Sequence, residues 1–134
     1  MSEMFKNYPQ PEDYIPNNRH SIVIKEQLTI MAGESTSHSF EVPFDVDEQM
    51  SDYAVIYKLG LDVVVEKDKS QLSYVYDEDH NESIITCLLT PEETALFKNT
   101  LLSAAAQIKF ITKEDGKVSY SEICPIILMD SLEI

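Results

Sequence analysis

The sequence predicts a mainly β domain, a sandwich or barrel of short strands with one short helix. Three observations carry that prediction. Apolar and polar residues alternate with period two through much of the chain, as at Ile22, Ile24, Leu28 and Ile30; this is the pattern of strands with one buried face. Strand-like runs recur roughly every ten residues with turn residues between them, a spacing that favours an all-β fold over α/β. Only residues 89–97 carry strong helix-start chemistry.

The elements follow in order. Residues 1–20 hold Pro9, Pro11 and Pro16, which remove amide donors and fix φ, so neither helix nor strand runs through. Tyr8, Tyr14 and Ile15 still give this segment apolar handles. It reads either as an extended arm lying on another surface or as a fraying terminus. Its composition predicts disorder in the free protein and order on binding. The strand domain then spans residues 21–134. "SIVIKEQLTIM" and "TSHSFEVPF" alternate around Gly33, "VDEQMSD" reads as a polar loop, and "YAVIYKL" reads as a buried strand ended by Gly60. "LDVVVEK", "QLSYVYD" and "ESIITCLL" continue the strands.

In "LTPEETALF", Thr90 and Glu93 form a capping box, and Pro91 stands where its missing amide costs nothing. A helix over about 91–98 is expected. Phe97, Leu101, Ala104 and Ile108 would also allow it to run to about residue 106; the shorter helix, with a strand resuming near Ser103, is preferred. "AAAQIKFITKEDGKVSYSEI" reads as a hairpin around Asp115-Gly116. A type I′ turn there would set Lys109 opposite Glu122 and Ile108 opposite Ile123. "CPIILMDSLEI" closes the chain.

Composition narrows the function. The 134 residues suit one domain. Twenty-four acidic residues against ten Lys and Arg give a net charge of −14. Nucleic-acid binding needs basic groups to neutralise phosphates, so this charge argues against it, and against an anionic membrane surface. No apolar run reaches membrane-spanning length, and the start lacks the pattern of a secretory signal. Cys87 and Cys124 lie in apolar runs and read as buried free thiols, with an inter-strand disulfide as the alternative.

No catalytic constellation emerges, so the chain is expected not to be an enzyme and to need no cofactor. "DEDHNE" places oxygen side chains at Asp77, Asp79 and Asn81, as a calcium loop begins. Such a loop also needs Gly at its sixth position and Glu at its twelfth; Glu82 and Leu88 stand there. The stretch therefore reads as a solvated loop between strands, and no metal is assigned. His20, His38 and His80 show no zinc spacing and read as surface or half-buried residues. Glycine-rich phosphate loops are absent. A small β domain without such a site fits an interaction module working through edges, loops and arms. Tyr8, Tyr14 and Ile15 are its candidate protein contacts. A ligand- or carbohydrate-binding module is the alternative, with Tyr53, Tyr57, Tyr74 and Tyr76 as possible platforms, although packing inside the sandwich is their preferred role.

The second half also resembles small proteins from the structural-gene regions of tailed bacteriophages and of prophages in gut Firmicutes. Leu89, Thr90, Glu92, Glu93, Thr94 and Phe97 carry the likeness first; Gln107, Ile108, Lys109, Asp115, Gly116, Ser121 and Ile123 follow. The architecture is similar to the immunoglobulin-like amino-terminal domains of phage upper-baseplate proteins, in which the helical turn carries the chain between sheets. Residues 1–20 fall outside the likeness. It implies an immunoglobulin-like antiparallel β-sandwich and a virion structural or accessory protein of tail, neck or baseplate. Such a protein docks in several copies on other phage structural proteins and assembles in the host cytoplasm.

Overall fold

Period-two alternation gives each strand one apolar face, and two sheets bring those faces together. A computed structural model describes residues 19–20, 27–98 and 100–129. The elements are β1 (Arg19–His20), β2 (Leu28–Met31), β3 (Thr36–Val42), α1 (Val46–Gln49), β4 (Met50–Leu59), β5 (Asp62–Asp68), a 3-10 turn (Lys69–Gln71), β6 (Leu72–Asp77) and β7 (Glu82–Leu89). There follow α2 (Pro91–Thr94), a second 3-10 turn (Ala95–Phe97), β8 (Ala104–Thr112), β9 (Val118–Ser121) and β10 (Cys124–Met129).

Among the described residues the strands form a seven-stranded and a three-stranded sheet. The small sheet has the order β3-β7-β6. In the large one β8 is central: β4 pairs along its length with β5 beyond, while β9 and β10 share its other side. β1 then pairs with β9 and β2 with β10, both in parallel. These parallel pairs depart from the purely antiparallel expectation. Arg19 and His20, at the end of the segment expected as an arm, already belong to the sheet. Tyr8, Tyr14 and Ile15 lie outside the described residues.

Phe40, Val55, Tyr57, Ile85, Leu89, Ile108 and Phe110 are fully buried between the sheets. Each such large apolar side chain contributes about 2–3 kcal/mol relative to exposure. The chain crosses from the small sheet to the large one through α2 and the turn after it. The short helix is the one observed, and β8 starts at Ala104. Thr90 Oγ1 accepts from the Glu93 amide at 3.2 Å and Glu93 Oε1 from the Thr90 amide at 2.8 Å, which is the expected capping box. Glu93 also meets the nearly buried Lys67 ammonium at 2.7 Å. Burial works to raise the Glu93 carboxyl, but the bonds from Lys67 and Thr90 outweigh it and hold it below its ordinary value.

Two readings need correction. "VDEQMSD" is not a loop throughout: Asp45 caps α1 by accepting from the amides of Asp47 and Glu48, and β4 begins at Met50. Ser83 fixes this turn to the small sheet, accepting from the Val46 amide at 2.9 Å and donating to the Phe44 carbonyl at 2.7 Å.

The second correction is the last hairpin. Lys109 faces Tyr120, not Glu122, and Phe110 faces Ser119; Ile123 lies beyond β9. A type I′ turn needs positive φ at both central residues. Gly116 has it, with φ 69°, and Asp115 does not. The Asp115 carboxylate instead accepts from the Lys117 amide at 3.1 Å, an Asx turn that avoids the cost of left-handed backbone. A longer loop results. The shift is two residues, so each side chain keeps its predicted face.

The Lys67–Glu93 pair yields a stability prediction. Glu93→Ala leaves a buried ammonium unpaired and removes a cap, for an expected loss of about 3 kcal/mol or more. Lys67→Met replaces the buried charge with an apolar chain, and should cost markedly less. Urea unfolding of the two variants compares them directly.

Candidate functional site

The polar groups that could do chemistry lie mostly in one place, the seam between the sheets. His38 projects inward from β3 and is buried. Its Nε2 lies 2.9 Å from the Thr29 carbonyl and its Nδ1 2.8 Å from the Tyr57 hydroxyl. A carbonyl only accepts, so Nε2 carries the proton and Nδ1 accepts from Tyr57.

A one-way relay results: Tyr57 to His38, His38 to Thr29. It links the two sheets, because His38 stands on the small one and Tyr57 and Thr29 on the large one. Burial lowers the His38 pKa, overriding the Thr29 hydrogen bond, so the ring is held neutral. Burial also raises Tyr57 and Cys87, keeping both protonated. Neutral donors and acceptors matched in this way hold a structure together. A nucleophile would need the opposite: a thiolate or a base poised to take a proton.

The histidine expectation changes here. His38 is fully inside the sandwich, because both ring nitrogens find partners there. His80 is exposed and lies 2.8 Å from the Asp77 carboxylate. The side chain of His20 is outside the described residues.

Cys87 and Cys124 are both buried free thiols, the first of the two readings of the sequence. Burial and the nearby Glu122 carboxylate raise Cys124 to about 12, so this thiol also stays protonated.

"DEDHNE" is the tip of the β6–β7 hairpin, where Asp77 pairs with Glu82. Two of its three candidate oxygen side chains, Asp77 and Asn81, are already used. The Asp77 carboxylate accepts from the Asp79 amide and meets His80, and Asn81 accepts from Tyr76 at 2.7 Å. Among the described residues no group of three or more His, Cys, Asp or Glu is placed to hold a metal ion.

The tyrosines do not assemble into a platform. Tyr57 and Tyr53 are buried, and Lys69 stands 5.6 Å over the Tyr53 ring. Tyr74 is half-buried and donates to the Asp45 carboxylate. Burial and that bond raise it to about 12. A polar groove of about 490 Å³ runs beside His38, between β2 and β3, and is lined by Thr29, Ser37, Ser39 and Glu41 among others. The signal for the relay was present in the sequence as Thr29, His38 and Tyr57 on strands. Nothing in their spacing shows that three separate strands bring them together.

Two predictions follow from the relay. Tyr57→Phe strands the buried His38 acceptor and should cost about 1–3 kcal/mol in chemical unfolding. His38 binds its proton less readily folded than unfolded, so its contribution is complete above its unfolded pKa of about 6.5 and is lost as pH falls toward its lower folded value. Thermal midpoints measured from about pH 7 to 5 should fall, and His38→Gln should flatten that fall. The His80–Asp77 pair, in which Asp77 raises His80, acts with the opposite sign and remains in this variant.

The sequence matches no protein-family model, and no curated protein matches it.

Proposed function

We propose that this chain is a non-catalytic structural or accessory protein of a tailed phage particle, docking on neighbouring protein subunits in several copies. The observation that supports this best is the set of open strand edges. In the small sheet, β3 and β6 each pair on one side only among the described strands. Unpaired edges are templates for another chain. Apolar side chains stand in solvent near them, Val75 on β6 and Leu88 on β7. A second group gathers at one end, where the Gly60 amide donates to the Ser103 carbonyl at 2.8 Å. This bond brings the exposed Leu61 beside the loop of Leu101 and Leu102.

The strand order supports the finer immunoglobulin-like reading. β3, β7 and β6 take the places of strands B, E and D, and β5, β4, β8 and β9–β10 those of C′, C, F and G. The seam chemistry favours binding over catalysis, since its polar groups are matched to one another.

The test is the composition of purified particles from a host that produces them. Quantitative mass spectrometry should find the chain in a fixed ratio to the other structural proteins. Val75→Lys and Leu61→Lys should reduce incorporation at least several-fold while leaving the circular dichroism spectrum unchanged. Particles that lack the native chain would sink the proposal. Binding to a glycan panel, with no incorporation, would instead favour a ligand-binding module using the groove beside His38.

A further inference from the structure

The outer edge of β6 lacks the devices that usually blunt a strand edge, which are lysine, proline or a bulge. β5, at an edge of the large sheet, carries Lys67 and a register shift against β4. The edge of β3 is flanked by β2, whose Thr29 carbonyl accepts from His38. β6 holds neither lysine nor proline and pairs with β7 in unbroken register. Among the described strands nothing pairs with its other side. Leu72 and Tyr74 pack against the core, so Ser73, Val75 and Asp77 face outward. Val75 is 60% exposed and lies beside Ile84 of β7. The edge is also held straight for a partner: the Tyr74 hydroxyl is tied to Asp45 and that of Tyr76 to Asn81.

We infer that β6 pairs antiparallel with β6 of a second copy, across a two-fold axis at Val75, and joins two small sheets into one continuous sheet. Two observations choose this occupant. The first is register. A continuous sheet sets inward residues opposite inward ones, so the axis passes through a residue and not between two. At Val75 it places that side chain against Val75 of the second copy, Tyr74 against Tyr76, and Ser73 against Asp77. The row formed by Ile84 and Val75 then runs on into the same two residues of the second copy, so the exposed valine is covered by its like. The Ser73 hydroxyl can donate to the Asp77 carboxylate facing it. An axis at Tyr76 would set Val75 against that carboxylate instead, and one at Tyr74 would set it against Ser73.

The second observation is charge. β6 runs from the turn of Lys69 to the hairpin tip that holds Asp77, Glu78, Asp79 and Glu82. The Lys69 side chain is 43% exposed. Antiparallel pairing brings the lysine turn of one copy beside the acidic tip of the other and sends the two tips to opposite ends. Parallel pairing would stack the tips. A two-fold contact uses the same edge on both copies, so the pair is closed. One strand edge is a small interface, and the association is accordingly reversible.

This inference goes beyond the virion reading and does not rest on it, because it concerns two copies of the isolated chain. Sedimentation velocity on the full chain should show the mass rising from monomer to dimer with concentration. Val75→Lys sets two ammonium groups against each other at the axis. It should weaken the dimer about tenfold or more, with the circular dichroism spectrum unchanged. A symmetric cross-link fixes the register. Residues directly opposite in an antiparallel pair have Cα atoms about 4.5–5.5 Å apart, within disulfide range. Val75→Cys should therefore give a covalent dimer on oxidation with diamide, while the native thiols stay buried. Leu88→Cys is the control. Leu88 is also 60% exposed, but it stands on the central strand of the small sheet, and its cross-linking should be at least several-fold slower. A monomer mass throughout the concentration series overturns the inference. So does a dimer in which Val75→Cys cross-links no faster than Leu88→Cys, which would place the contact elsewhere. If Val75→Lys does not fold, the two cysteine variants decide the matter.

Discussion

The hydrogen-bond relay through the seam is the constraint on which the two sheets depend. Packing alone tolerates sliding of one apolar face over another; directed bonds between neutral groups do not. Tyr57, His38 and the Thr29 carbonyl each sit on a different strand and fix the relative position of three strands at once. The direction of the relay is set at its end, because the Thr29 carbonyl can only accept. Every proton upstream is then determined. Protonating His38 would put a charge into the core, which is why burial favours the neutral ring even though the Thr29 hydrogen bond works the other way.

Charge is managed in the same spirit. A chain with this acidic excess has few cations to spend inside, yet it buries Lys67. That ammonium reaches the carboxylate that also caps α2, so a single residue, Glu93, secures both the helix start and the buried cation. The helix in turn steers the crossing between sheets. A surface pair of this kind adds little; here the low exposure of Lys67 makes the partner necessary rather than ornamental.

Much of the architecture was legible because it is local. Alternation predicted the strands, and Thr90, Pro91 and Glu93 marked α2 correctly. The capping signal at Asp45 was equally readable, with Asp47 and Glu48 in the first turn, but a single helical turn does not show in apolar periodicity. The last hairpin misled because Asp-Gly serves both a type I′ turn and an Asx turn, and the choice rests on whether the carboxylate finds its own backbone. The parallel pairing of β1 and β2 had no local signature at all. Neither did the relay, whose members acquire their roles only through contacts between separate strands.

The pairing of the first strands with the last has a consequence for the order of folding. Leu28 lies beside Ile126, 98 positions later in the chain, and β1 beside β9 is as remote. Closing such a long loop carries an entropic cost that no local contact repays, and contacts of this kind slow folding. On the ribosome, β2 emerges early and waits with an open edge until nearly the whole domain has been made. The β6–β7 and β4–β5 hairpins need no such wait. The sandwich can therefore assemble from its middle outward, and its closing edge can form only after β10 has been made.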